Sequence, residues 1–413
     1  MEYRILLIFS LFFFESIFAK EYNHSEFINL FKKKNISDQV EIIKLQQSRI
    51  NIQQSMGRIV PSLNLSTIID TTISGPIGLL NSLSNLLGFL LPSRWFAWNE
   101  SKMYYLSQYH SYIATRGNLI LMADELYLTL KKVYLIRNLI IDVNTDLGKL
   151  VHSIEFREKI GELPKGSFAR VKTKSLELES DLLDLDNMIE LYLIEINKLI
   201  VDESYSKISI IDYISEREIE ESSWELDNIL EVSPELKSLK ALFFAAKYSK
   251  KKRAWSFLSF SNEGFGLGYF ARNKLATTEI KQIKNIRLQE EMELSALFHS
   301  ISKTTSNLDK KNHLYTKALE SLDRRLEQIK VDYQLTGKIN SDDYLENLDA
   351  YLKFKILKIT NKIDFEFTSA KKERVNLVGI YSKLDQKIPK RQIRKLKRYQ
   401  KREDRLVKNI SAF

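Results

Sequence analysis

Apolar residues recur along this chain with a helical period over long stretches. The clearest run comprises Phe168, Val171, Ser175, Leu178, Leu182, Leu185, Ile189, Tyr192, Ile196 and Leu199, spaced three and four apart with one polar member. A heptad seam kept up over four repeats predicts coiled-coil packing. The same reading places helices at 25–59, 95–158, 167–201, 234–256, 274–333 and 341–384. The second and fifth have about 60 residues, and each would run roughly 90 Å at the α-helical rise. Helices beyond the usual 8 to 20 residues must bury their seams against one another. Leu176 and Leu183 stand beside the seam, so this helix carries a second apolar face and calls for a partner beyond its own hairpin. The fold class is therefore mainly α, built of long antiparallel coiled-coil helices.

The pattern occurs twice. "GELPKGSF" from Gly161 aligns with "GKINSDDY" from Gly337, 176 positions on, and each follows a very long helix and precedes a shorter one. Upstream, "RIVPSLNLS" from Arg58 aligns with "WSFLSFSNE" from Trp255, 197 positions on. An internal duplication outranks any single motif as a guide to architecture. It divides the chain into a first repeat, 20–203, a connector, 204–232, and a second repeat, 233–385, followed by a tail, 386–413. A β or membrane-proximal segment falls at 61–98, where strand-like β-branched residues at 62–74 give way to a leucine-rich stretch that could equally be a helix. A second strand-like segment at 256–272 surrounds Gly264, Gly266 and Gly268. Those glycines lack the βαβ context of a phosphate-binding loop and read instead as a hairpin or membrane-facing turn.

Thirteen glycines and six prolines in 413 residues suit long helices. Residues 1–19 hold one basic residue, an apolar run and Ala19, the pattern of a secretory signal peptide, with an uncleaved anchor as the alternative. The absence of cysteine excludes disulfides and thiolate chemistry. His24, His110, His152, His299 and His313 are scattered without metal-ligand spacing, and no nucleophile elbow or Walker loop occurs. The reading is a non-enzyme with no cofactor and no metal. Residues 389–408 hold ten Lys or Arg and two acids. Behind a signal peptide such a run points to anionic lipid, lipopolysaccharide or an acidic protein face, or to a plain solvated helix, rather than to nucleic acid. The aromatic residues Trp95, Phe96 and Trp98 fit a membrane-interface belt.

In order the chain reads helix, proline-ended strand segment, very long helix, glycine turn, returning helix, then the same again. With Val60-Pro61-Ser62-Leu63, Ser233-Pro234-Glu235-Leu236, and Gly337 followed by Ser341, Asp343 and Leu345, it resembles the outer-membrane efflux protein family, the TolC-like channels, from about residue 25 to 384. The resemblance implies a homotrimeric α-barrel in the periplasm joined to an outer-membrane β-barrel. It also implies a periplasmic adaptor protein and an inner-membrane transporter as partners, in efflux or type I secretion. The segments 61–98 and 256–272 are short for strands that need about nine to eleven residues each, so the barrel is expected to be reduced. A non-transporting coiled-coil envelope scaffold is the alternative. By the resemblance, the turns at 159–167 and 334–342, with Gly161, Gly337 and Ser341, dock the adaptor. Asp343 and Glu346 would face the channel entrance, with Arg170 at the matching place in the first repeat and free to pair with an acid of the neighbouring turn. Ser341 is the expected N-cap of the last long helix, which puts Asp342 and Asp343 in its first turn.

Overall fold

The computed structural model describes residues 20–59, 90–200, 208–210, 224–256, 267–336 and 341–410. In chain order they form β1 (Lys20–Tyr22), α1 (His24–Lys34), α2 (Ile36–Gly57), α3 (Pro92–Lys159), α4 (Ser167–Ile200) and β2 (Ile208–Ile210). There follow α5 (Leu226–Val232), α6 (Pro234–Ala254), α7 (Leu267–Thr336), α8 (Ser341–Asn376), a 3-10 turn (Gly379–Tyr381) and α9 (Lys390–Ile410). The protein is mainly α, as its apolar periodicity predicts. None of these helices is long and apolar enough to cross a membrane.

Several boundaries differ from the sequence reading, each for a local reason. The expected helix 25–59 is two helices, because Asn35 is extended. Its backbone N–H still caps α1 on the Phe31 carbonyl, while its side chain donates to the Leu199 carbonyl at 3.2 Å. The expected helix 341–384 stops at Asn376, with Leu377 in the left-handed region at φ 54°. The N–H groups of Leu377 and Val378 reach back to the carbonyls of Arg374 and Glu373, the double closure usually built on glycine. A leucine there hides the stop from a sequence reading. The strand reading fails over Leu267–Ala271, which open α7, and α3 begins at Pro92, three residues before its expected start. The connector contains a strand and a helix, and β2 pairs in parallel with β1, Glu21 opposite Ser209. The remaining strand-like residues, Val60-Pro61-Ser62-Leu63 and the signal segment lie outside the described residues.

The chain forms two compact units, each drawing on both repeats. Unit 1 comprises Met1–Ile36, Ile120–Glu220 and His299–Lys372. Unit 2 comprises Ser37–Leu119, Glu221–Phe298 and Glu373–Phe413. In unit 1 the α4 seam packs as predicted. None of its ten members is exposed, and Val171 and Leu178 meet Leu147, Val151 and Ile154 of α3 and Tyr344 and Leu348 of α8. Four apolar residues of α4, Leu176, Leu183, Leu191 and Ile194, stay more than half exposed.

Unit 2 has a core of Leu45, Tyr105, Leu106, Tyr112, Ala241, Ile388 and Leu396. Helix α6 starts at Pro234, behind Ser233, whose hydroxyl accepts the Leu236 N–H. Buried Arg374 lies against Gly117 so closely that an added Cβ would fall 2.4 Å from its Nε. Its guanidinium donates to Asn118, the Ala114 carbonyl and Glu235. The basic tail is a docked helix: Ile393, Leu396 and Tyr399 of α9 pack on this core, while Arg391, Arg394, Lys395 and Arg398 point outward.

On the inner face of α9, Glu403 is fully buried, and burial pushes its carboxyl up to about 7. A carboxyl raised above its unfolded value of 4.5 favours folding when protonated, so its contribution is fully present below pH 4.5 and is lost as pH rises toward 7. Glu403→Gln should therefore stabilise the fold above neutral pH, by on the order of 3 kcal/mol at about 1.4 kcal/mol per unit, read as a higher thermal midpoint. The gain should vanish at pH 4.5. A variant less stable than wild type above neutral pH would show that the charged carboxylate is needed.

Candidate functional site

The first glycine turn is built from the end of α3 outward. Gly161 at φ 81° takes the left-handed position, and the N–H groups of Gly161 and Glu162 close on the carbonyls of Glu158 and Arg157 at 3.1 and 2.9 Å. Leu163 then tucks into the unit 1 core, and Gly166 at φ 93° leads into α4. Glu158 of α3 caps the start of α4, accepting from the N–H groups of Gly166 and Phe168 at 2.8 and 2.7 Å. Those two donors hold its carboxyl below the usual range.

Sequence reasoning missed Glu158, although a signal was there. A carboxylate in the last turn of a helix sits at the negative end of the macrodipole, so it needs another source of positive potential. The positive end of α4 supplies it.

The second turn, with Gly337, lies outside the described residues, as does the Ser341 side chain. The acids that follow it are described. Tyr344 and Leu348 are buried and Leu345 is half-buried, so this stretch of α8 faces the core as its pattern predicts. Arg170 donates to both carboxylate oxygens of Asp342, so its partner is this acid of its own chain, and both side chains are exposed. Asp343 accepts from Arg325 of α7 at 2.8 Å and from Asn347 at 2.9 Å. Lys174 reaches Asp349 at 2.7 Å. Glu346 is exposed and pairs with none of the described residues. Exposed pairs of this kind are screened by water, so they set charge and register more than stability. Asp343 and Glu346 share a helix face, three residues apart. Arg325 already neutralises the first, which leaves Glu346 as the acid that acts outward.

The aromatic residues of the expected belt lie on the first turns of α3. Trp95 is exposed and meets Trp98 edge-on at 5.8 Å, while the Lys102 ammonium sits over the Trp98 ring and Lys251 lies near Phe96. Two histidines have long-range partners that spacing could not reveal: His24 bonds Asp124, and His110 bonds Gln400 at 2.9 Å. Among the described residues no three His, Asp or Glu side chains gather as a metal site would require.

No protein-family model matches the sequence, and no curated protein matches it. Solved structures do match the fold. A membrane protein from Pseudomonas aeruginosa superposes with a TM-score of 0.70 at 11% identity, over 85% of this chain and 93% of that one. The outer membrane protein VceC of Vibrio cholerae gives 0.66 at 11% identity, over 85% and 95%. The CmeC outer membrane channel of Campylobacter jejuni gives 0.66 at 14% identity, over 85% of each chain. The chain thus has the fold of the TolC-like outer-membrane channels, as the resemblance implied.

The first turn offers a test. Glu158→Ala should speed amide hydrogen exchange at Gly166 and Phe168 several-fold and leave Leu178 protected. Because the carboxyl is held low, the wild-type cap should persist at ordinary carboxylate pH and weaken only as pH falls through the lower folded value. Unchanged exchange at both amides would remove Glu158 from this role.

Proposed function

We propose that the chain is one subunit of a homotrimeric exit channel of the outer membrane and periplasm, working with a periplasmic adaptor and an inner-membrane transporter. The observation that carries this reading is the likeness in fold, over 85% of the chain, to the outer membrane protein VceC and the CmeC outer membrane channel. The exposed line Leu176, Leu183, Leu191 and Ile194 supports it. An apolar strip along a helix whose other face is already packed fits a neighbouring copy better than water. In a trimer every chain presents the same strip, and a ring of chains closes on itself.

Within this reading the turns at Gly161 and Gly337, with Ser341, form the end that docks the adaptor. Trp95, Phe96 and Trp98 belong to the membrane-proximal end. The entrance is lined by Asp343 and Glu346, beside Arg170. Since Asp343 is paired with Arg325 and Arg170 with Asp342, the uncompensated charge is one Glu346 per chain. Three such carboxylates around one axis attract cations and raise their local concentration.

Single-channel recording in planar bilayers tests the proposal. The full chain should conduct and prefer cations. Glu346→Ala should cut that preference, and Asp343→Ala with Glu346→Ala should cut it further, because Arg325 then loses its carboxylate. Conduction with unchanged selectivity in Glu346→Ala would refute the acidic ring. Absence of conduction in the wild-type chain would favour the non-transporting envelope scaffold.

A further inference from the structure

Unit 2 holds a cleft of about 880 Å³, inside the range of roughly 300–1,000 Å³ usual for small-molecule sites. Its floor is apolar, formed by Leu106 of α3, Leu236, Phe243 and Phe244 of α6, and Ile393 and Leu396 of α9. Its rim is charged. Lys237, Lys240, Lys247, Arg287 and Lys397 stand there with Glu231, Glu291 and Asp404.

Two of those cations are already satisfied. Lys240 pairs with Asp404 at 3.3 Å and Arg287 with Glu291 at 2.8 Å. Lys237 donates a hydrogen bond to the Val232 carbonyl at 3.1 Å, and Lys247 lies over the Phe243 ring, 4.5 Å from its centre. Lys247 and Lys397 have no carboxylate partner among the described residues. After pairing, Lys247 and Lys397 remain beside the apolar floor without a carboxylate, while Lys237 stays with the Val232 carbonyl near Glu231. His110 adds no charge near neutral pH, because burial holds its pKa down to about 4.

We propose that this cleft binds a single-chain anionic amphiphile of the fatty-acid class, with its alkyl chain along the floor and its carboxylate beside Lys247 and Lys397. Apolar floor and cationic rim match the two ends of such a molecule, and a cation or an uncharged polar solute would match only one or neither. Burial already lowers the pKa of Lys247, so an anion beside it relieves a cost the empty cleft bears. Helix α9 completes the site, with Leu396 in the floor and the adjacent Lys397 at the rim. That gives the basic tail a specific role. The inference rests on unit 2 alone and is independent of the channel reading.

The experiment uses the full chain at one fixed concentration of an uncharged detergent, loaded with dansyl-labelled undecanoate. Dodecanoate should displace the probe saturably and about tenfold more tightly than dodecanol, the gain expected of a charge-assisted contact. Shortening the competitor should weaken it by up to about fourfold per methylene. Lys247→Gln combined with Lys397→Gln should erase the preference for dodecanoate. Lys397 is exposed, so Lys397→Gln alone should reduce that preference and serves if the double variant does not fold. Equal displacement by dodecanol, uptake that does not saturate, or a preference that survives these substitutions would overturn the proposal. Vesicles of two-chain anionic phospholipid competing as well as dodecanoate would overturn it too, assigning the patch to a membrane surface.

Discussion

The seam of α4 is the constraint on which unit 1 depends. A helix of 34 residues gains little from backbone propensity alone, and most of its stability comes from an apolar face in contact with neighbours. Val171 and Leu178 meet α3 and α8 in one continuous cluster, which fixes the register of the three helices. Register in turn decides which charges can meet near the turns. Arg170 faces Asp342 and Lys174 faces Asp349 because the seams beneath them leave no freedom to slide. The turn geometry at Gly161 and Gly166 follows from the same constraint, since Leu163 must reach the core while the chain reverses.

Unit 2 depends more on buried polar stitching. Arg374 passes the backbone at Gly117 to reach three acceptors, and Arg116 donates to the Tyr112 hydroxyl at 2.9 Å and the Leu384 carbonyl at 2.6 Å. Lys387 reaches Asp38 at 2.6 Å. Buried charges of this sort are costly to leave unmatched, so they specify partners more than they add stability. Glu403 departs from that rule, which is why its protonation answers to pH. Docking α9 here also converts a run of basic residues into a two-sided element, with one face in the core and the other in solvent.

The sequence made the long helices legible because a seam of threes and fours needs only local spacing. The α4 seam and the core positions Tyr344 and Leu348 follow from that alone. Helix ends were less legible. Asn35 stops α1 through a bond to Leu199, far along the chain, and Leu377 occupies a position where glycine is the usual signal. The strand reading at 256–272 overran because aromatic residues such as Tyr269 and Phe270 favour strands, yet here they lie in the first turn of α7. At the candidate site, the helix face shared by Asp343 and Glu346 was legible. The capture of Asp343 by Arg325 was not, since it requires the register between α7 and α8. The compact units cut across the repeats, because each pools segments from both.

On the proposed reading, the exposed strip on α4 is covered by a second copy of the chain in a closed ring. The most direct measurement is electron microscopy of the purified assembly, read for the number of chains and for a lumen. Three chains around an open centre are predicted. A monodisperse monomer, or three chains packed as a solid rod, would contradict the account.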